Sequence, residues 1–265
     1  MMKVVLFCGG QGMRMREYSE TIPKPMVRIG YRPILWHVMR YYAHFGHTEF
    51  ILCLGHGGDV IKNYFLSYNE AVSNDFVLEG NGENSNKITL LSTDIHNWKI
   101  TFADTGYSSN IGQRLYAVQK YLKGEKRFLA SYADGLIDMQ LDDSIRFAIQ
   151  QDKIATFVSV RPSQSFHLVE VGDNGTVSDL KHVTDAGVWI NGGYFVLKQE
   201  IFEYMNEGEE LVYEPFQRLI KKNQLVTYKY DGFFVSIDTF KEKQYADDMY
   251  ESGNTPWEVW KKKIK

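Results

Sequence analysis

Short apolar runs alternate with amphipathic stretches through the first third of the chain. "KVVLFC" (3–8) and "EFILCL" (49–54) are apolar nearly throughout, as strands buried on both faces are. Between them, "PILWHVMRYYAHFG" (33–46) carries apolar residues at helical spacing, with Pro33 at its start and Gly46 at its end. "DVIKNYFLSY" (59–68) predicts a second helix. Strand, helix, strand, helix in that order predicts a parallel sheet with helices on its faces.

The rhythm then breaks. "LEGNGENSNK" (78–87) is polar and rich in glycine and asparagine, and reads as a hairpin loop. "ITLLS" and "WKITFAD" flank "TDIHN" and predict a β-hairpin. "IGQRLYAVQKYL" (111–122) returns to a helix, and "RFLASYADG" (127–135) is a strand running into an Ala-Asp-Gly turn. Beyond it lie a helix at "DDSIRFAIQQ" (142–151) and a strand at "IATFVSV" (154–160). "HLVEVGDNGTVSDLKHV" reads as strand, turn, strand, with "DNG" at the turn. A glycine-interrupted strand (188–197), a helix at "EPFQRLIKKN" and a last strand, "FFVSIDT" (233–239), complete the pattern. The expected fold is α/β: a Rossmann-like, mixed but mainly parallel sheet flanked by helices, with a β-rich insert. Neither linker nor repeat divides the chain, so a single domain over 1–265 is expected, with a hairpin insert at 74–103 and a C-terminal helical tail at 239–265.

Composition narrows the function classes. With 44% hydrophobic and 14% aromatic residues the chain can bury a sizeable core. A net charge of −3 supplies no basic field for nucleic acid. No run approaches membrane-spanning length, and the apolar stretch before Cys8 is too short for a signal peptide, so neither membrane nor export is expected and the setting is cytoplasmic. The two cysteines, Cys8 and Cys53, each end an apolar run and are expected as buried thiols on neighbouring strands.

The candidate chemistry sits at strand ends. "GGQGMRM" follows the first strand, where backbone amides of glycines can point at an anion. It does not match the P-loop, and Met15 stands where a dinucleotide turn needs a small residue. Arg14 offers a fork of donors suited to phosphate, and Lys24 sits between Pro23 and Pro25 on a stiffened loop. A plain turn with exposed cations is the alternative. Asp134 in "SYADG" and Asp238 in "VSIDT" each follow an apolar strand. Singly they read as a turn residue and a helix N-cap. Together, beside Arg14 and Lys24, they suit a Mg²⁺ ion that also takes phosphate oxygens.

These residues resemble the sugar-1-phosphate nucleotidyltransferases, whose glycine loop G-G-x-G-[ST]-R-L is followed about ten residues on by K-P-M or K-P-L. Here the two read "GGQGMRM" and "KPM". "PKPMVRIGYRPILWHVMRYY", "CLGHGGDVIKNYF", "ADTGYSSNIGQRL", "SYADGL", "INGGYFVL" and "TPWEVW" follow, in order, the pattern of the bacterial glucose-1-phosphate cytidylyltransferase subgroup. The resemblance covers essentially the whole chain. It implies a transferase that moves a cytidylyl group from CTP to a phosphorylated sugar with release of pyrophosphate and Mg²⁺ as cofactor. In that reading Gly9, Gly10 and Gly12 cradle the nucleotide by their backbone amides, Arg14 holds the β- and γ-phosphates, and Lys24 sits near the α-phosphate. Gly112 and Arg114 lie by the nucleotide, Asp134 and Asp238 bind Mg²⁺, and Asn191, Gly192 and Gly193 line the acceptor pocket.

The acceptor side departs from the family pattern. Where the family has F-G-A the chain has "FHL", with His167 in place of glycine. Where the family has E-K-P the chain has "LKHVTDAG", in which Lys181 is the candidate phosphate contact and Glu170 the nearest acid. The nucleotide half therefore reads as kept and the sugar half as rebuilt, around either glucose 1-phosphate or another phosphorylated acceptor. A catalytically inactive nucleotide-binding module is the competing class. The polar insert and the tryptophans of "PWEVW" predict subunit contacts, hence a homo-oligomer.

Overall fold

Each apolar strand is shared between two cores. Val4, Leu6 and Cys8 belong to one and Val5 and Phe7 to the other; Phe50, Leu52 and Leu54 likewise separate from Ile51 and Cys53. Side chains alternate across a strand, so a sheet covered by helices on both faces needs apolar residues at every position. The computed structural model describes residues 1–10, 22–81, 85–163 and 166–261.

The central sheet contains β1 (Val4–Phe7), β2 (Glu49–Leu54), β3 (Lys99–Asp104), β4 (Arg127–Tyr132), β5 (Ala155–Val160), β6 (Ile190–Lys198) and β7 (Leu225–Tyr230). Their spatial order is β7-β5-β6-β4-β1-β2-β3. β6 runs antiparallel to β4 and β5, while the other neighbouring pairs are parallel. One face carries α1 (Ile34–His44), α2 (Gly58–Leu66), α4 (Leu141–Gln151) and α6 (Phe240–Glu251). The other carries α3 (Ile111–Val118) and α5 (Glu214–Lys221). The mixed, mainly parallel α/β sheet is thus as expected. Cys53 on β2 and Cys8, the residue directly after the adjacent β1, are buried free thiols.

Two expectations need correction. "ITLLS" does not pair with "WKITFAD". Residues 85–90 pair with 76–81, so much of the polar stretch 78–87 is strand, and 99–104 joins the central sheet beside β2. The hairpin within 74–103 therefore ends near 90, and the insert's last residues belong to the sheet. The tryptophans of "PWEVW" are not left for a partner: Trp257 is 1% exposed and packs on Phe233, and Trp260 lies edge-on to Trp36 of α1.

That aromatic clasp encloses His37 among Trp36, Trp257 and Trp260, with Nε2 bonded to the carbonyl of Ile29 at 3.1 Å. Burial lowers the His37 pKa to about 4, against the smaller opposing effect of the Ile29 bond and the charge of Glu258. An unfolded histidine titrates near 6.5, so between those values the unfolded chain binds more protons and stability rises with pH. Acidification from pH 6.5 towards 4 is expected to remove up to about 3 kcal/mol through this residue. Urea unfolding at pH 7 and pH 5 checks it: His37→Gln should flatten the dependence, and an unchanged slope excludes His37 as the source.

Candidate active site

The parallel strands β1, β2, β3 and β4 all present their carboxyl ends at one edge, and the antiparallel β6 brings its amino end there too. Residues 8–10, 55–58, 105–110, 133–134 and 190–193 meet at that edge. Ligands of open α/β sheets bind in this position.

Asp134 follows β4 and precedes a short strand, Gly135–Ile137, which pairs antiparallel with Phe234–Ser236. The ribbon extends one step further through Ile237 N–H, which donates to Asp134 O at 2.9 Å. Asp238, the next residue, therefore stands beside Asp134 although far away in sequence. Lys24 opens a 3₁₀ turn, Lys24–Met26, whose Pro25 and Met26 are buried. Its Nζ lies 2.6 Å from Asp134 Oδ2 and 2.6 Å from Asp238 Oδ1. Ser236 Oγ donates to the other oxygen of Asp238 at 2.7 Å and fixes that carboxylate. Burial alone would lower the Lys24 pKa, but the adjacent carboxylates outweigh it and raise it, so the ammonium stays protonated. The N-cap alternative for Asp238 fails, because Thr239 caps α6 in a capping box with Glu242.

Two carboxylates aimed at one cation suit a hard divalent ion. Mg²⁺ takes one or two carboxylates and completes its shell with water and phosphate oxygens. The Lys24 ammonium marks where these oxygens already concentrate negative charge. Among the described residues there is no group of three or more His, Cys, Asp or Glu that could hold a metal.

The other sequence candidates are placed as follows. Gly10 is exposed at the edge, and nothing among the described residues lies within 4 Å of where a Cβ would stand. A Cβ on Gly9 would fall 2.3 Å from Arg114 Cζ, so glycine here admits the guanidinium under the loop. Gly12 and Arg14 lie outside the described residues. Arg114 itself is 1% exposed and turned into the protein: Nη1 donates to Leu54 O (3.1 Å), Thr105 Oγ1 (2.8 Å) and Gly106 O (3.0 Å). Its bonds tie the end of β2 to the loop after β3, and Gly9 and Gly55 lie against the guanidinium. Gly112 serves the same helix, since a Cβ there would meet Glu209 O at 2.2 Å.

On β6, Asn191 Oδ1 accepts from Gly193 N–H at 2.9 Å, and the Gly193 backbone (φ 75°) lies under the Tyr132 ring. Gly192 faces Val160. Burial, with the nearby charges of Glu210 and Asp134, pushes the Tyr132 hydroxyl up to about 12, partly offset by its bond with Asn191. His167, Glu170 and Lys181 lie on a hairpin, His167–Val171 with Val177–His182, which rises between β5 and β6 from the same edge. Its described contacts are its own: His167 is edge-on to His182, Lys181 pairs with Asp179, and His182 Nδ1 bonds Thr184 Oγ1 at 2.7 Å.

Three residues at this edge escaped sequence reasoning: Tyr132, Thr105 and His56. Among the described residues the Nδ1 of His56 is buried without a partner, and its ring stands edge-on to Tyr107. Their signal was present in "SYADG", "ADTGY" and "CLGHGG", at strand ends beside glycine.

The family model described as nucleotidyl transferase matches residues 3–233. The chain is 35% identical to a Bacillus subtilis (strain 168) protein named "Probable glucose-1-phosphate cytidylyltransferase", over 98% of this chain and 100% of that one. It is 34% identical to the glucose-1-phosphate cytidylyltransferase of Salmonella typhimurium, with the same coverage. The fold superposes on UTP-bound UGPase from Acinetobacter baumannii with a TM-score of 0.70 at 16% identity, covering 100% of both chains. A lysine and two strand-end acids gathered at the carboxyl edge, in a chain matched this far along its length, place it in the nucleotidyl transferase family.

Proposed function

We propose that the chain moves the cytidylyl group of CTP onto the phosphate of glucose 1-phosphate or a closely related sugar phosphate. A phosphate oxygen of the sugar attacks the α-phosphorus, the bond from that phosphorus to the bridging oxygen breaks, and pyrophosphate leaves. The observation that carries the reading is the meeting of Lys24 with Asp134 and Asp238. The relatives named cytidylyltransferase support the choice of CTP and glucose 1-phosphate.

No protein nucleophile takes part, because phosphoryl chemistry of this kind needs positioning and neutralised charge. Lys24 neutralises charge at the α-phosphate. Backbone amides of Gly9, Gly10 and Gly12 cradle the phosphates, and Arg14 holds the leaving pair. Asp134 and Asp238 would hold Mg²⁺, which when bound neutralises phosphate charge and favours the leaving group. Arg114 and Gly112 act by shaping the nucleotide loops. Asn191 and Gly192 line the acceptor side, with His167, Glu170 and Lys181 on the hairpin above it.

Self-association belongs to the same proposal, now resting on the two hairpins rather than the tryptophans. Phe76, Val77, Leu78 and Ile88 on one, and Val169, Val171 and Leu180 on the other, are exposed. Among the described residues no helix is long and apolar enough to cross a membrane. A cytoplasmic setting suits two buried, unbridged thiols.

Pyrophosphate release with Mg²⁺, across CTP, UTP and dTTP and a panel of sugar phosphates, tests the reading. CTP with glucose 1-phosphate should be the fastest pair. A preference for another nucleotide, or silence with every sugar phosphate, would overturn it.

A further inference from the structure

Lys24 Nζ occupies the point on which the carboxylates of Asp134 and Asp238 converge, 2.6 Å from an oxygen of each. A divalent ion held by the same two residues would sit against the same two carboxylates, and two cations cannot share them at such distances without strong repulsion. We propose that Lys24 is a displaceable internal cation. It fills the cation position in the nucleotide-free protein and moves to phosphate when a nucleoside triphosphate arrives. Divalent metal and nucleotide are thereby made to bind together instead of metal first. This deepens, and rests on, the reading of Asp134 and Asp238 as metal ligands.

Three local features fit that role. The Lys24 backbone is fixed by Pro23 and Pro25 on either side and by Val27 N–H, which donates to Lys24 O at 3.1 Å. Only the flexible four-carbon stem is left to relocate the ammonium. The Asp238 carboxylate is held independently of the lysine by Ser236, and the Asp134 backbone by its carbonyl to Ile237. Both bonds persist when the ammonium leaves. The lysine and the two carboxylates together sum to one negative charge and the carboxylates alone to two, so the departing ammonium needs another anion. In this pocket the phosphates of the nucleotide supply one.

Mn²⁺ titration of nucleotide-free protein, with free ion counted by electron paramagnetic resonance, tests this without turnover. Wild type should bind Mn²⁺ weakly, with Kd near or above about 1 mM. Lys24→Met and Lys24→Gln should bind it about tenfold more tightly or better, within the usual range of coupling between linked ligands. Adding Asp134→Asn to Lys24→Met should abolish that gain. Equal Mn²⁺ affinity in wild type and folded Lys24 variants would overturn the displacement while leaving the acidic site standing. Micromolar binding by nucleotide-free wild type would overturn it even if the variants failed to fold. Absence of Mn²⁺ binding from every protein, with CTP present as well as absent, would remove the metal site itself and the displacement with it.

Discussion

Asp134→Asn should lower Mg²⁺-dependent pyrophosphate release by about 10³-fold or more while the protein remains folded. The change is isosteric and removes one of the two negative charges that meet on Lys24. The fold should tolerate it, because the carboxylate is 24% exposed and the backbone bond from Ile237 to Asp134 O is untouched. Steady-state turnover and thermal unfolding of the same preparation check both halves. Retained turnover would remove Asp134 from the metal site. Lost turnover together with a collapsed unfolding transition would make the residue structural instead.

Arg114→Met should act through the fold. Its guanidinium is buried, and Nη1 donates to Leu54 O, Thr105 Oγ1 and Gly106 O. Methionine fills much of the volume but takes the donor from Gly106 O, at a cost of about 1–3 kcal/mol, whereas Leu54 O keeps its bonds from Thr105 N–H and Thr105 Oγ1. We expect unfolding free energy to fall by about 1–3 kcal/mol, with CTP binding weakened as the end of β2 and the loop at 105–110 lose their shared anchor. Lysine should not rescue it, since a point charge cannot reproduce the planar fork. If Arg114 were instead a simple phosphate contact, stability would be unchanged and only nucleotide affinity would drop. Denaturant unfolding and CTP titration of the same variant separate the two.

The central sheet was legible because both of its faces are covered: burial on two sides forces apolar runs, near-continuous in β1 and β2 and broken in β4 and β5 only by Arg127 at the start of β4 and the small polar residues Ser131, Thr156 and Ser159. Pairing was less legible. "ITLLS" is strand-like whichever partner it takes, and periodicity alone could not choose 76–81 over 99–104. The acids were findable because each ends an apolar strand, so topology alone brought them to one edge. The contact that unites them, through a ribbon of Gly135–Ile137 with Phe234–Ser236, left no sequence signal beyond that position. The burial of Arg114 was not legible, for a general reason. An arginine in a polar segment suggests a face for ligand or solvent, and only the glycine at position 9 hinted that a side chain had to fit beneath that loop. The tryptophan tail shows the same ambiguity from the apolar side. Large aromatics need cover, and the sequence does not say whether the cover comes from helix α1 of the same chain or from a second one.

The most direct test of cytidylyl transfer follows the phosphorus itself. Incubating the protein with CTP, glucose 1-phosphate and Mg²⁺ and recording ³¹P spectra distinguishes sugar transfer from hydrolysis. One pyrophosphate and one CDP-sugar should appear for each CTP consumed. CTP left intact, or consumed to CMP with glucose 1-phosphate untouched, would contradict it.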